Sequence, residues 1–340
     1  MAEQQNMSAQ VSEQLPEQKL AVVSSSPHVR SKHTTRVIML DVCIALMPAL
    51  AAAVWHFGTR SLVITAISVI SCIAFEALCN LLMKKPLTIK DCSAVVTGLL
   101  LALGLPPTLP LWMIPIGAFV AIAVVKQLFG GIGQNFANPA ATARIVLVLS
   151  FALPMTTWTA ANGHSWGADA VATATPMNIL AAGEGTLPSL LQMLLGQHGG
   201  SLGETCALAL LLGGIYLCLR RVISPLIPLC YIGTVALLSL FKGGFDLTFV
   251  AYQLLGGSML LGAIFMATDY ATTPISAKGK IVFALGCGLF TCLIRFYSNM
   301  PEGVSFAILI MNLLSPHIER LTIPRAFGDS KRKEKRNAQG

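Results

Sequence analysis

Charge is what this 340-residue chain has least of: Asp, Glu, Lys and Arg make up 11% of it, against 54% hydrophobic residues and a mean hydropathy of +0.71. A soluble domain carries about a quarter of its residues charged, so much of this surface is expected to face something other than water. Lysine and arginine are missing altogether between residues 145 and 219. The nine cysteines (43, 72, 79, 92, 206, 218, 230, 287, 292) include no C-x-x-C pair. That excludes ferredoxin-type and zinc spacing and leaves them as small buried apolar side chains. The histidines show no metal-ligand spacing, and without G-x-G-x-x-G a Rossmann fold is excluded. Residues 1–35 lack the apolar core of a signal peptide, so the first apolar run is expected to remain in the mature protein. The net charge of +8 is scattered over short segments between apolar runs and gathers on no face. Nucleic acid is therefore excluded as a partner.

What the chain does have is apolar runs, ten of them, near 37–57, 61–83, 92–106, 110–129, 139–155, 203–219, 222–241, 247–267, 280–298 and 303–320. A spanning helix needs about 20 such residues. The third run is too short and ends in LGLPPTLP, where Pro106 and Pro107 stop a helix. It reads as a broken span completed by irregular backbone, which lipid tolerates only when protein or a cavity surrounds it. With the N-terminus in the cytoplasm, twenty of the 23 basic residues fall inside and only Arg60, Lys242 and Arg295 outside. The basic tail Lys331–Arg336 then serves as a topology signal beside anionic lipid headgroups. Five runs precede residues 156–202 and five follow, so the halves enter the membrane in opposite directions. Each half has an interrupted third run, a full run, and then a loop rich in Gly, Asn or Pro (GGIGQNFANP, YSNMPEG). The expected fold is an all-α integral membrane protein of about ten transmembrane helices in two inverted five-helix repeats, with the third and eighth spans broken. Its parts are a polar cytoplasmic tail (1–35), the first repeat (36–155), an external loop (156–202), the second repeat (203–321) and a basic cytoplasmic tail (322–340).

Three features bear on chemistry. Asp41 and Glu76 lie deep in their apolar runs, where an ionisable group is costly and marks an ion path or a buried pair; Asp91, Glu204 and Asp269 sit at run ends and read as interfacial helix caps. In KQLFGGIGQNFANPAATAR, Gly130, Gly131 and Gly133 let backbone approach a ligand, and Asn135 and Asn138 offer both donors and acceptors. The same residues serve equally as a tight interhelical turn, with Pro139 opening the next helix. DAVATATPMN, Asp169 to Asn178, places Thr175 before Pro176, a helix start with a threonine N-cap and proline at the first position. A cap does not account for the length of the loop around it.

Several long stretches in one order, SPHVRSKHTTRVIMLDV, DCSAVVTGLLLALGLPPTLP, KQLFGGIGQNFANPA, MATDYATTPISAKGK and MPEGVSFAILIMNLLSPHIE, give a specific resemblance. From about Ser26 to Gly328 the chain resembles the D subunit of the Rnf ion-translocating electron transport complex. That family is related to the B subunit of the sodium-translocating NADH:quinone oxidoreductase. The resemblance implies FMN joined through its phosphate to a threonine of the external loop, within a pattern Asp-x-x-Ser/Thr-Gly-Ala-Thr. Here Asp169, Ala174 and Thr175 match, Thr175 being the acceptor, whereas Ala172 and Thr173 depart from it. Thr173 is stiffer than glycine and slows entry into the transferase, while small neighbours are expected to leave Thr175 accessible. The resemblance further implies a non-covalent riboflavin toward the cytoplasm, placed at Gly130, Gly131, Asn135 and Asn138.

It also implies a subunit inactive alone, working in a translocase that couples ferredoxin–NAD electron transfer to movement of Na+ or H+. The partners implied are NAD-reducing, ferredoxin-accepting, FMN-bearing and small membrane subunits, with a flavin transferase acting during maturation. The location implied is the bacterial inner membrane, both termini cytoplasmic and the flavin loop outside. Without the Asp169–Thr175 segment and these stretches, composition and topology fit a cofactor-free inverted-repeat channel or carrier, or a structural anchor, equally well.

Overall fold

The computed structural model describes residues 34–161, 173–183, 185–298 and 303–324. Among these residues every regular element is a helix. Helix α1 (Thr35–Phe57) and α2 (Thr59–Leu82) form the first pair. After a 3-10 turn at Ile89–Asp91 come α3 (Ser93–Leu103) and α4 (Met113–Phe119), the latter continuing as a π-helix through Val120–Gln127, and then α5 (Pro139–Ser150) and α6 (Ala152–Thr156). Two short helices, α7 (Pro176–Ala182) and α8 (Leu190–Leu195), precede the second half. That half comprises α9 (Ala207–Leu219), α10 (Leu226–Lys242), α11 (Leu247–Leu255), α12 (Met259–Leu261) with a π-turn at Gly262–Met266, α13 (Ala277–Tyr297) and α14 (Val304–Thr322).

Three helices, α1, α2 and α13, are each long and apolar enough to cross a bilayer. The pair α11 and Met259–Met266, bent by 64° at the break between them, is apolar enough for a broken span or a re-entrant loop. The third apolar run is helical only over the eleven residues of α3. Helix α2 is largely polar inside and apolar outside. It buries Ser61, Thr65, Ser68, Cys72, Glu76 and Asn80, three or four residues apart, and turns Leu62, Ile70 and Leu78 outward. Such inversion suits a lipid surround, where leucine gains nothing by going inside and packing rests on small residues and hydrogen bonds. At Gly98 a Cβ would lie 2.7 Å from the Val69 Cα, so only glycine lets α3 approach α2 this closely, and the Ser68 hydroxyl donates to the Gly98 carbonyl at 2.8 Å.

Where helices stop at membrane depth their carbonyls must find donors. Guanidinium groups supply them at both breaks. Arg60 donates from Nε to Pro107 O (2.8 Å) and from Nη2 to Thr108 O and Leu109 O (3.3 and 3.2 Å). At the other break Arg295 donates to Gln253 O (2.6 Å) and Gly256 O (3.0 Å), and Arg144 to Ser258 Oγ (2.7 Å). Lys126, Arg144 and Arg295, which enter the sequence as topology charges, are thus buried structural cations.

Candidate functional site

On the side of residues 173–199 lies an open cavity of ≈ 840 Å³, walled by Trp55, His56, Thr173, Ala174, Pro176, Gln192, Gln197 and His198 among others. Thr173 enters it from a short extended segment whose N–H donates to Trp158 O at 2.9 Å; its own hydroxyl is buried and has no partner. Thr175 is the N-cap of α7, its Oγ1 accepting from Asn178 N at 3.1 Å, with Pro176 behind it. The expected accessibility of Thr175 is not met: it is only 1% exposed. The cause is packing of α7 onto the second break, where Met177 lies against Gly256 and Gly257. Asp169 and Ala172 lie outside the described residues, as do most of the two polar tails.

A second cavity, of ≈ 380 Å³, lies between helices beside α3. Its walls are Ile38, Met39, Val96, Leu100, Leu217 and Phe265, with polar atoms from Ser93, Thr97, Lys126, Asn135, Asn138, Thr268 and Asp269. Asn135 Oδ1 is buried without a partner. Asn138 is already committed, its Oδ1 capping α5 through Ala141 N (3.1 Å) and its Nδ2 donating to Met266 O (3.1 Å). Gly130 and Gly131 shape the turn, with φ of 126° and 103°, but it is Gly133 that reaches the wall. Asp269 lines the cavity in a turn that accepts from Ala271 N (3.3 Å); burial pushes its carboxyl up to about 6, and that N–H bond opposes the shift.

Glu76 stands behind this cavity, 1% exposed. Its Oε1 accepts from Lys126 Nζ (2.9 Å), Thr88 Oγ1 (2.7 Å) and Gln127 Nε2 (3.3 Å), while Oε2 has no partner. Lys126 also donates to Ser93 Oγ at 2.7 Å, so it joins Glu76 to the cavity wall. It sits in the π-helix Val120–Gln127, a geometry that often marks functional segments. Asp41 differs: it pairs with Arg220 Nη2 at 3.2 Å and accepts from the Tyr216 hydroxyl at 3.0 Å, at an edge where the arginine side chain is 47% exposed. Asp41 and Glu76 are therefore not in one constellation.

The three run-end carboxylates do not cap the helices that follow them. Those N-caps are Cys92, Cys206 and Ser276. Glu204 instead folds back to Ser201 Oγ within its own loop (2.9 Å), and Asp269 holds its own turn, which takes both from the helix termini. Sequence reasoning misses the partners Lys126, Ser93, Thr88 and Gln127; a lysine at the end of an apolar run is the only available signal.

Residues 22–328 match the model of the NQR2, RnfD, RnfE family. The chain belongs to this family. Its relatives include the D subunit of the Na+-translocating ferredoxin:NAD+ oxidoreductase complex of Acetobacterium woodii, 48% identical over 319 residues, covering 93% of this chain and 98% of that protein. The corresponding D subunit of the proton-translocating complex of Clostridium ljungdahlii is 42% identical, with 90% and 96% covered. That of the ion-translocating oxidoreductase complex of Stutzerimonas stutzeri is 40% identical, with 89% and 93% covered. With its apolar helices, this member of the NQR2, RnfD, RnfE family is a membrane protein.

Proposed function

We propose that the chain is the flavin-carrying membrane subunit of a complex coupling electron transfer between ferredoxin and NAD to translocation of Na+ or H+. The near-full-length relatives named for such complexes support it. The observation that carries the flavin is the position of Thr173 and Ala174, the two residues of the attachment pattern before Thr175, on the wall of the wide cavity. FMN there, bound through its phosphate to Thr175 Oγ1, would supply one- and two-electron chemistry. The chain's residues offer it a suitable seat: the Trp55 indole for stacking, Gln192 and Gln197 amides for its polar edge, and the unpartnered Thr173 hydroxyl. Because Thr175 is covered, attachment requires the 173–175 segment to lift from the second break, or to be modified before α7 docks.

The second cavity fits a second, non-covalent flavin by its apolar walls and the free Asn135 Oδ1. Asn138 lines it through atoms already engaged, and Gly130 and Gly131 act through the turn. Glu76, paired with Lys126 next to this cavity, is the stronger ion-path residue; Asp41 is the weaker. The architecture proposed is ten spans in two inverted five-helix repeats (36–155 and 203–321) around an external loop (156–202), with tails at 1–35 and 322–340 cytoplasmic. Inner-membrane location, the other complex subunits and a flavin transferase as partners belong to the same reading.

The test is a denaturing gel viewed under ultraviolet light after coexpression with a flavin transferase. A fluorescent band at 36.0 kDa that Thr175→Ala abolishes is expected. The buried, capping Thr175 favours one rival, a cofactor-free carrier, and a dark wild-type band would decide for it.

A further inference from the structure

A recess of ≈ 630 Å³ lies where α7 meets α11 and the ends of α10 and α13, and it shares no wall residue with either cavity described above. Two of the three basic residues that the charge count leaves on the outer side, Lys242 and Arg295, line it together. Cations are sparse on that side of a membrane protein, so their meeting in one recess calls for a reason. Lys242, the last residue of α10, is exposed and sets its Nζ over the Tyr297 ring, 5.3 Å from the centroid. No carboxylate among the described residues pairs with it. The nearest along the chain, Asp246, caps α11 through Thr248 N (2.8 Å) and is not part of the wall. Arg295 holds the second break with its Nη atoms and contributes charge to the recess rather than a hydrogen bond. It shares a single carboxylate, Glu204, with Arg144, which acts on it more strongly, so the buried balance at this end stays positive.

The uncharged part of the wall adds donors and apolar surface. Gln253, 3% exposed, accepts from Arg295 Nη1 at Oε1 (3.2 Å). A guanidinium can only donate, which fixes this amide's orientation and leaves Gln253 Nε2 as the donor on offer. Asn178 of α7 brings a second amide to the wall. Phe249 and Phe296, their rings 6.4 Å apart, supply apolar surface together with Met177 and Leu180. Cation and amide donors beside aromatic walls, with no carboxylate among the lining residues, suit an anion that brings carbon with it. Position then points to its source. Helix α13 is long and apolar enough to cross a bilayer, and Tyr297 is its last residue. The recess therefore opens at the depth of the headgroups, where tyrosine and lysine settle with their polar ends in water. Phe241, Phe245 and Leu247, beside Lys242 in the chain, are exposed there and would meet acyl chains.

We propose that this recess binds the phosphate of an anionic phospholipid, with Lys242 Nζ as its charged ligand and Gln253 Nε2 as a second donor. A headgroup that carries an ammonium would set it against Lys242 and Arg295, so a glycerol headgroup, as in phosphatidylglycerol, is preferred to a choline one. Bound there, the lipid touches α7 together with the ends of α10 and α13 and joins them. The inference rests on membrane placement and needs no flavin.

The full chain, stripped of lipid in a neutral detergent, is melted with increasing dihexanoyl phosphatidylglycerol, dihexanoyl phosphatidylcholine or inorganic phosphate at equal ionic strength. Phosphatidylglycerol raises the Tm at a half-effective concentration at least fivefold below that of phosphatidylcholine. Lys242→Gln removes this preference and Lys242→Arg keeps it within twofold. Lys278→Gln, which removes an exposed cation at the opposite end of α13, keeps it whole. Asn178→Asp leaves Lys242 in place but sets a carboxylate on the wall; it raises the half-effective phosphatidylglycerol concentration at least threefold, and serves alone if Lys242→Gln fails to fold. An equal rise with inorganic phosphate at the same concentration would make the ligand a soluble anion and overturn the assignment to lipid. Equal responses to the two lipids, or a preference that survives both Lys242→Gln and Asn178→Asp, overturn the site itself.

Discussion

The two cavities are built in opposite ways. The outer one, ≈ 840 Å³, is open and walled by loops and the ends of short helices, with hydroxyl, amide and imidazole groups around it. The inner one, ≈ 380 Å³, lies between helices whose apolar side chains form most of its wall, with a buried ion pair behind it. A group tied by a covalent bond needs no tight wall to stay in place, and such a wall would hinder the enzyme that attaches it. A group held only by contacts needs burial and a few fixed polar atoms. The difference between the cavities is the one expected if the first holds a tethered cofactor and the second a diffusible one.

The comparison breaks most severely at Lys126. Lys126→Met leaves Glu76 buried, with Thr88 and Gln127 as its remaining donors and Oε2 still unpaired. Removing one partner of a buried pair costs about 3–5 kcal/mol, read as a lower midpoint in denaturant. Lys126→Met/Glu76→Gln recovers more than half of that loss. The same removal beside Asp41, Arg220→Met, where the arginine side chain is half exposed to solvent, costs less. Equal losses at the two sites would mean that the inner cavity is no more rigidly built than the periphery.

A smaller effect is expected at Asp269. Its folded-state value of about 6 lies above the 3.8 of an unperturbed aspartate, so ionisation works against the fold. Stability attributable to this group is greatest below pH 4, falls as pH rises to 6 and is flat beyond. Asp269→Asn flattens the decline between pH 4 and 6. In the flavin-loaded protein it also raises the midpoint potential of the inner flavin at pH 8, by tens of millivolts, because a negative charge facing the cavity disfavours reduction. At pH 5, with Asp269 already protonated, wild type and variant converge. A flavin tethered to Thr175, as proposed, would keep its potential at both pH values.

Much of this is legible in the sequence because lipid imposes a simple rule on composition. Each of the ten apolar runs holds a helix within a few residues of its expected place. The stop at Pro106–Pro107, the Thr175 cap and the Asn138–Pro139 helix start follow from local backbone chemistry that a short window contains. What stays hidden depends on pairing across the chain. Lys126 meets Glu76 across 50 residues and Arg144 meets Ser258 across 114. Counting charge by segment therefore takes Lys126, Arg144 and Arg295 for surface signals. Glu204 reads as a cap because it precedes a helix; only the return of its loop to Leu103 and Leu105 shows that it turns inward.

The finest test of the contrast lies within the outer cavity, at Thr173. The attachment pattern has glycine here, whereas this chain has a β-branched residue whose N–H is tied to Trp158 O and whose hydroxyl is buried without a partner. Since Thr175 is covered, the 173–175 segment must leave its place to meet a transferase, and a stiff residue at its start resists that excursion. Thr173→Gly returns backbone freedom worth about 0.5–1 kcal/mol, which corresponds to an attachment rate about two- to fivefold faster. The measurement is the growth of the fluorescent band with time under limiting transferase; the final yield and the occupancy of the inner cavity stay unchanged. An unaltered rate would mean that the release of α7 from Gly256 and Gly257, rather than flexing at residue 173, limits access to the hydroxyl, and Met177→Ala would then be the variant that accelerates it.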